Sequence, residues 1–140
     1  MLLTACGNKA FDIKGTTLNG SGNVFFAWSE TATQEDKNNI YNDLKVANDE
    51  ELKETIKEFG SDFVNCKLVF DKKGTVEITK SQDNAKLYYY SQSEDLKTIN
   101  IFDDAEKTKD AGTLSFVNGY FCLKEDETKA ITIYIAFNKV

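Results

Sequence analysis

The sequence predicts a mainly β protein, an antiparallel up-and-down β-barrel with a two-helix insertion after the second strand. From Val64 onward, apolar and polar residues alternate with a period of two, and short polar or glycine-containing links separate the alternating segments. Residues 33–60 have apolar positions at helical spacing instead. A chain of 140 residues is long enough for one domain with a single core.

The first part of the predicted domain is a pair of strands over residues 10–18 and 23–28. Between them, residues 19–22 read Asn-Gly-Ser-Gly, which predicts a tight turn because glycine readily adopts positive φ. The second strand is apolar on both faces, so we expect the helices to cover one of them.

Two capping signals define the helical insertion. Thr33 is followed three residues later by Asp36, in the manner of a capping box, and Asn48 is followed in the same way by Glu51. Gly60 is the expected stop of the second helix.

Seven further strands follow the insertion in hairpin order. They are predicted around residues 66–70 and 76–78, and over residues 86–91, 97–102, 113–117, 120–124 and 130–138. Nine strands connected by short links favour a closed or nearly closed barrel, because closure removes the exposed edges of a long sheet.

The composition narrows the range of functions. The chain has 23 acidic residues and 17 basic ones, all lysines without a block, for a net charge of −6. This pattern argues against nucleic-acid binding and predicts repulsion from anionic lipid headgroups. Without His, no Ser-His or Cys-His arrangement can form, so we expect no enzyme activity and no cofactor. The acidic loop at residues 103–110 leaves carboxylate catalysis or calcium binding open, although a solvated loop is the simpler interpretation.

The residues Leu3-Thr4-Ala5-Cys6 resemble the lipobox of bacterial lipoproteins. The resemblance implies a diacylglycerol on Cys6, with residues 1–9 as the remnant of a signal and tether and residues 10–140 as one exported domain. The protein would then be anchored to the cell membrane and face the extracellular side. Few residues precede the motif, so we expect the precursor to start further upstream. The abundance of Lys without Arg is typical of an AT-rich genome, such as that of a low-GC Gram-positive bacterium.

The order of elements resembles the lipocalins and fatty-acid-binding proteins, in which a helix-turn-helix can cover one end of an up-and-down barrel. Gly15 matches the glycine of the Gly-x-Trp motif on the first lipocalin strand, but Trp28 is the only Trp of the chain. The arginines with which fatty-acid binders hold a carboxylate are absent. The resemblance therefore implies the fold and leaves the ligand open.

Aromatic residues are the candidate binding residues. In the run Tyr88-Tyr89-Tyr90, alternation places Tyr88 and Tyr90 on one face and Tyr89 on the other, and Trp28 ends an aromatic strand. Structural packing is the alternative role for all four. We expect a monomer that binds a small apolar ligand or a protein. The alternatives are an inhibitor resembling those of lysozyme, acting through an acidic surface on a basic protein, and a structural or adhesive module.

Two cysteines remain besides Cys6. Cys66 and Cys122 both lie in predicted strands, where a buried free thiol is as plausible as a disulfide. A disulfide requires the two strands to be neighbours.

Overall fold

Eight antiparallel strands form a closed barrel in the computed structural model, which describes residues 9–80 and 84–140. The strands follow one another around the barrel in chain order, and the last pairs with the first, so the predicted up-and-down barrel is confirmed. The elements are β1 (Thr17–Trp28), α1 (Gln34–Leu44), α2 (Asp49–Ile56), a 3₁₀ helix (Lys57–Phe63), β2 (Lys67–Phe70), β3 (Thr75–Thr79), β4 (Lys86–Gln92), β5 (Thr98–Phe102), β6 (Asp110–Val117), β7 (Tyr120–Glu127) and β8 (Ile131–Lys139).

The two strands predicted at the start of the domain are a single strand, β1, so the described chain has eight strands instead of nine. Residues 19–22 do not turn the chain. They form an irregularity within β1, where the register to β8 shifts between Gly20 and Val24. Gly22 has φ +74°, so its conformational freedom serves a bulge, which bends a strand without ending its pairing. The predicted helical insertion is confirmed and therefore follows β1 directly.

The predicted caps of both helices are confirmed. The Thr33 side chain accepts a hydrogen bond from the Asp36 backbone N–H at 3.1 Å, and the Asp36 carboxylate accepts one from the Thr33 backbone N–H at 2.9 Å. The Asn48 side chain accepts from the Glu51 backbone N–H at 3.0 Å. These bonds satisfy donors that a helix leaves free at its first turn.

Gly60 does not stop a helix, contrary to the prediction. Helix α2 ends at Ile56, and the 3₁₀ helix continues through Gly60 to Phe63. A Cβ atom on Gly60 would lie 2.6 Å from Cγ2 of Val24, and one on Gly20 would lie 1.6 Å from the carbonyl oxygen of Phe63. Both glycines therefore allow the 3₁₀ helix to lie directly against the β1 bulge.

Two apolar clusters stabilise the molecule. The first fills the barrel and comprises Ile13, Leu18, Cys66, Leu68, Phe70, Val76, Tyr90, Ile99, Ile101, Leu114, Phe121 and Phe137. The second lies where β1 and β8 extend beneath the helices, and comprises Val24, Leu52, Ile56, Ile131, Ile133 and Ile135. Phe63 and Leu123 pack against both clusters, so they join the barrel to the helical insertion.

Residues 9–16, which we call the plug segment, cover the end of the barrel opposite the helices. Ile13 is fully buried, and the Phe11 ring meets Phe121 edge to face at 5.2 Å. The Gln92 side chain accepts from the Ile13 backbone N–H at 2.9 Å and donates to the Phe11 carbonyl oxygen at 2.8 Å. One amide side chain thereby fixes the plug segment to β4. Part of the predicted first strand is thus a cover, because its apolar residues are buried without sheet pairing.

Candidate functional site

Most of the barrel interior is filled by side chains. Phe70 and Tyr90 meet edge to face at 5.0 Å, and Phe116 and Phe121 do the same at a ring separation of 5.0 Å. The Tyr90 hydroxyl donates to the carbonyl oxygen of Asp71. The half of the barrel nearer the plug segment therefore has a packed aromatic core, as expected of a narrow barrel.

The interior is not filled at the end nearer the helices, where a cavity of about 140 Å³ lies beside the 3₁₀ helix. Its lining comes from the 3₁₀ helix, from every strand except β1 and from residues next to them: Phe63, Cys66, Leu68, Ile78, Lys80, Tyr88, Ile101, Ala111, Gly112, Thr113, Leu114, Leu123 and Phe137. Lys80 and Ala111 are exposed, so the cavity opens to solvent between β3 and β6. Helix α2 packs on β1 and shares an apolar cluster with β8, on the side of the barrel away from β3 and β6.

The cavity wall is apolar. Among the described residues, no polar or charged side chain is buried, and no buried side-chain nitrogen or oxygen lacks a hydrogen-bond partner. Three lining side chains carry oxygen or nitrogen: Lys80 at the opening, the half-buried Tyr88 with its hydroxyl, and Thr113, whose hydroxyl is paired with Asn100 at 3.2 Å. A ligand inside the cavity would therefore be recognised by apolar contact and shape.

The Cys66 thiol forms part of the wall and is 4% exposed. Burial raises the pKa of this thiol, and the positive charge of Lys80 opposes that shift. The thiol is consequently protonated at neutral pH and behaves as a small apolar group in the cavity.

The three consecutive tyrosines have three different environments, and the predicted alternation of faces is confirmed. Tyr88 lines the cavity and is half-buried, with the Lys86 ammonium 5.0 Å above its ring. Tyr90 is 4% exposed in the aromatic core. Tyr89 lies on the outer surface with Leu87, which is 49% exposed. Of the three, only Tyr88 is placed to contact a ligand in the cavity.

Trp28 lies away from the cavity, at the end of β1 beneath the helices. Its indole N–H donates to the Asp49 carboxylate at 3.2 Å, and the Tyr41 hydroxyl donates to the same carboxylate at 2.7 Å. The Trp28 ring also meets Phe26 edge to face at 5.5 Å. These contacts connect β1 to α1 and α2, so the ring has a structural role in the described chain.

Cys66 and Cys122 are buried free thiols. Cys66 lies just before β2 and Cys122 lies in β7, and β1 and β8 separate these strands around the barrel. The neighbouring position that a disulfide requires is therefore not met. Burial raises the pKa of Cys122 to about 12, which makes it inert at neutral pH.

The acidic loop between β5 and β6 forms a hydrogen-bonded turn. Asp104 accepts from the Thr108 hydroxyl and from the backbone N–H groups of Thr108 and Lys109, and the Thr108 hydroxyl bond is the main cause of its lowered pKa. Across residues 9–80 and 84–140, no group of three or more Cys, Asp or Glu side chains could hold a metal ion.

No protein-family model, no curated protein and no solved structure matches this chain. No helix in the described part of the chain is long and apolar enough to cross a membrane. The residues Leu3 to Cys6, which resemble a lipobox, lie outside the described residues. The eight-stranded barrel is compatible with ligand binding.

Two parts of the cavity wall were not predicted, although the sequence contains a pattern that indicates each of them. Val76, Ile78 and Lys80 are spaced by two residues, so Lys80 continues the inward face of β3 toward the opening. Ala111 and Gly112 are small residues in a strand, which is typical of a bulge, and the β5–β6 register shifts there.

Proposed function

We propose that this protein is a non-enzymatic, lipid-anchored binding protein whose barrel holds one small apolar molecule in the cavity beside Tyr88. The observation that supports this proposal most directly is the cavity itself. It is lined almost entirely by apolar side chains and opens between Lys80 and Ala111.

The volume of the cavity limits the size of the ligand. A cavity of about 140 Å³ is below the 300–1,000 Å³ of common drug-sized sites, but an apolar cavity of about 150 Å³ can hold benzene. We therefore expect ligands of roughly six to eight non-hydrogen atoms. Their dissociation constants should lie at about 0.1–1 mM, because a ligand of this size has few atoms with which to make contacts.

A size series tests this proposal by ¹⁵N-edited NMR. Benzene and toluene should produce saturable shifts of the Gly112 and Thr113 amides at the rim of the cavity, whereas dodecanoate should not. Ile78→Trp should weaken toluene binding at least tenfold, because the indole would occupy the cavity. Val69→Trp is the matched control, since Val69 lies on the outer surface of the adjacent strand β2.

A second variant at the same position tests the size limit from the other direction. Ile78→Ala enlarges the cavity at its half-buried wall and should allow naphthalene to bind. If toluene shifts the rim amides of wild type and Ile78→Trp alike, or fails to shift them in wild type, the ligand proposal is wrong.

The anchor is a separate part of the proposal and is supported by the lipobox-like residues Leu3-Thr4-Ala5-Cys6. Mass spectrometry of the protein purified from a bacterial membrane should find a diacylglycerol on Cys6. An intact, unmodified sequence before Cys6 in that preparation would contradict the anchor without affecting the cavity.

A second candidate function is inhibition of a basic protein, which the distribution of charge favours. Residues 29–66, between β1 and β2, contain ten carboxylates and four lysines, a net charge of −6. The remaining 13 carboxylates and 13 lysines cancel, so the segment between β1 and β2, which includes the helical insertion, carries the entire net charge of the chain. Such a field attracts a cationic partner and weakens as salt rises.

Titration with lysozyme, used as a basic probe protein, tests the second candidate. An inhibitor should bind at low salt, and Glu50→Gln/Glu54→Gln on α2 should weaken binding more than Glu94→Gln/Glu125→Gln, which has the same net charge. Absence of binding at about 20 mM salt would exclude lysozyme as the target.

A further inference from the structure

The two ends of the barrel differ in charge. The plug end consists of the plug segment, the turns at residues 71–74, 93–97 and 118–119, and residues 138–140. It contains six lysines and four side-chain carboxylates, whereas residues 29–66, which include the helical insertion at the other end, have a net charge of −6. All six lysines are exposed: Lys9, Lys14, Lys72, Lys73, Lys97 and Lys139.

Three of the four side-chain carboxylates at the plug end accept hydrogen bonds from backbone N–H groups of their own turns. Asp12 accepts from the Lys14 backbone N–H at 3.0 Å, Asp71 from that of Lys73 at 2.8 Å, and Asp95 from that of Lys97 at 3.0 Å. These bonds hold the carboxylates against the backbone.

Within the part of the chain that the structure describes, the lysine ammonium groups at this end form no ion pair with a carboxylate. The two ion pairs found within the described ranges are Lys57–Glu54 and Lys124–Glu127, both away from the plug end. The Lys139 ammonium lies 4.6 Å from the centre of the Phe11 ring, and the stem of Lys72 passes beside Gly15. The plug end therefore presents cations that are free to contact an external anion.

The proposed anchor on Cys6 would place this surface close to a membrane. Lys9, the first described residue, is three positions after Cys6, so an extended chain between them spans about 10 Å. A lipid on Cys6 would hold the plug end within about one Debye length of the bilayer surface at physiological salt.

From these observations we infer that the plug end docks on an anionic lipid surface, with the acidic helices pointing away from it. The inference deepens the proposed anchor, on which it rests. The net charge of −6 alone predicts that anionic lipid headgroups repel the protein. Because positive and negative charges lie at opposite ends of the barrel, the protein can still present a basic face to such a surface. Each lysine near an anionic bilayer strengthens binding by a factor of about five at low salt.

Co-sedimentation of the full chain without a lipid tests the inference. With Cys6→Ser to prevent lipidation, the protein should bind vesicles of equal parts phosphatidylglycerol and phosphatidylcholine at about 20 mM salt. It should not bind vesicles of phosphatidylcholine alone. Lys72→Gln/Lys73→Gln should reduce binding at least tenfold, whereas Lys45→Gln/Lys53→Gln, with the same net charge, should not.

Several outcomes would overturn the inference: no binding to the anionic vesicles, equal binding to both kinds of vesicle, or equal losses in the two double variants. None of them bears on whether Cys6 carries a lipid, which mass spectrometry reports independently, or on the cavity, which the toluene titration reports.

Discussion

Of the three consecutive tyrosines, Tyr90 is the one that is buried and stabilises the barrel core. Its ring packs against Phe70 inside the barrel, and its hydroxyl donates to the carbonyl oxygen of Asp71 in the β2–β3 turn. The bond ties the turn to the core. Tyr90→Phe keeps the ring and removes the only hydroxyl that this carbonyl accepts from among the described residues.

We expect Tyr90→Phe to lower the free energy of unfolding by about 1 kcal/mol, the usual net contribution of a hydrogen bond in a protein. Urea denaturation measures the change. Tyr89→Phe, on the outer surface of the same strand, should leave the urea midpoint unaltered, and an equal loss in both variants would show that the Tyr90 hydroxyl has no special role.

The ionisation of Asp71 makes the stability of the same turn depend on pH. Its carboxylate accepts from the Thr75 hydroxyl first of all, and also from the backbone N–H groups of Thr75 and Lys73, which holds its pKa below the usual value. A lowered folded-state pKa means that ionised Asp71 stabilises the fold fully above the unfolded-state pKa. This stabilisation is lost as the pH falls through the folded-state pKa.

The stability advantage of wild type over Asp71→Asn should therefore shrink between about pH 5 and pH 2, as urea midpoints across that range will show. Glu77→Gln, an exposed carboxylate on β3, is the control. A constant difference between wild type and Asp71→Asn over the whole range would mean that the charge of Asp71 does not stabilise the turn.

At the residue scale, the sequence predicts which face of β4 each tyrosine occupies, but not which residues it contacts there. Alternation separates Tyr89 from Tyr88 and Tyr90 because strand side chains alternate strictly. It does not distinguish Tyr88 from Tyr90. That difference depends on which residues the neighbouring strands bring alongside, such as Phe70 beside Tyr90 and the small residue Gly112 near the cavity.

At the scale of elements, the contact between β1 and the 3₁₀ helix leaves no room for a side chain at Gly20. The Phe63 carbonyl occupies the space where a side chain on Gly20 would begin. Gly20→Ala should therefore lower the free energy of unfolding by about 3 kcal/mol or more, because backbone atoms on both sides would have to move.

Gly22→Ala is the matched comparison within the same strand. Its Cβ would have only ordinary contact with Val64, at 3.8 Å, but Gly22 has a positive φ, so the expected loss is about 1–2 kcal/mol. Urea denaturation of both variants measures the difference. Equal losses would contradict the close packing of the 3₁₀ helix on β1.

The elements that depend on local chemistry were predicted well, and those that depend on distant contacts were not. The caps at Thr33 and Asn48 lie within three residues of their partners, and the strands after the insertion alternate cleanly. The glycine-rich residues 19–22 have the composition of a turn, yet β8 pairs along both halves of β1 and makes them a bulge. Pairing with a strand more than 100 residues away leaves no local signal.

On the scale of the whole molecule, the barrel has three differentiated regions. One end is closed by the plug segment and is basic, the other carries the acidic helical insertion, and a cavity opens beside the insertion. The predicted barrel is confirmed, but its interior is mostly packed. The structure has a small cavity in place of the open cup that a lipocalin-like barrel would have.

The central claim is that this cavity receives a small apolar molecule, and a crystal structure of the protein under xenon pressure tests it most directly. Xenon enters apolar cavities of this size without needing polar partners. We predict one strong xenon site enclosed by Leu68, Tyr88 and Leu114, with the surrounding side chains unmoved. A cavity that holds only ordered water, or that is filled by a shifted side chain, would contradict the account.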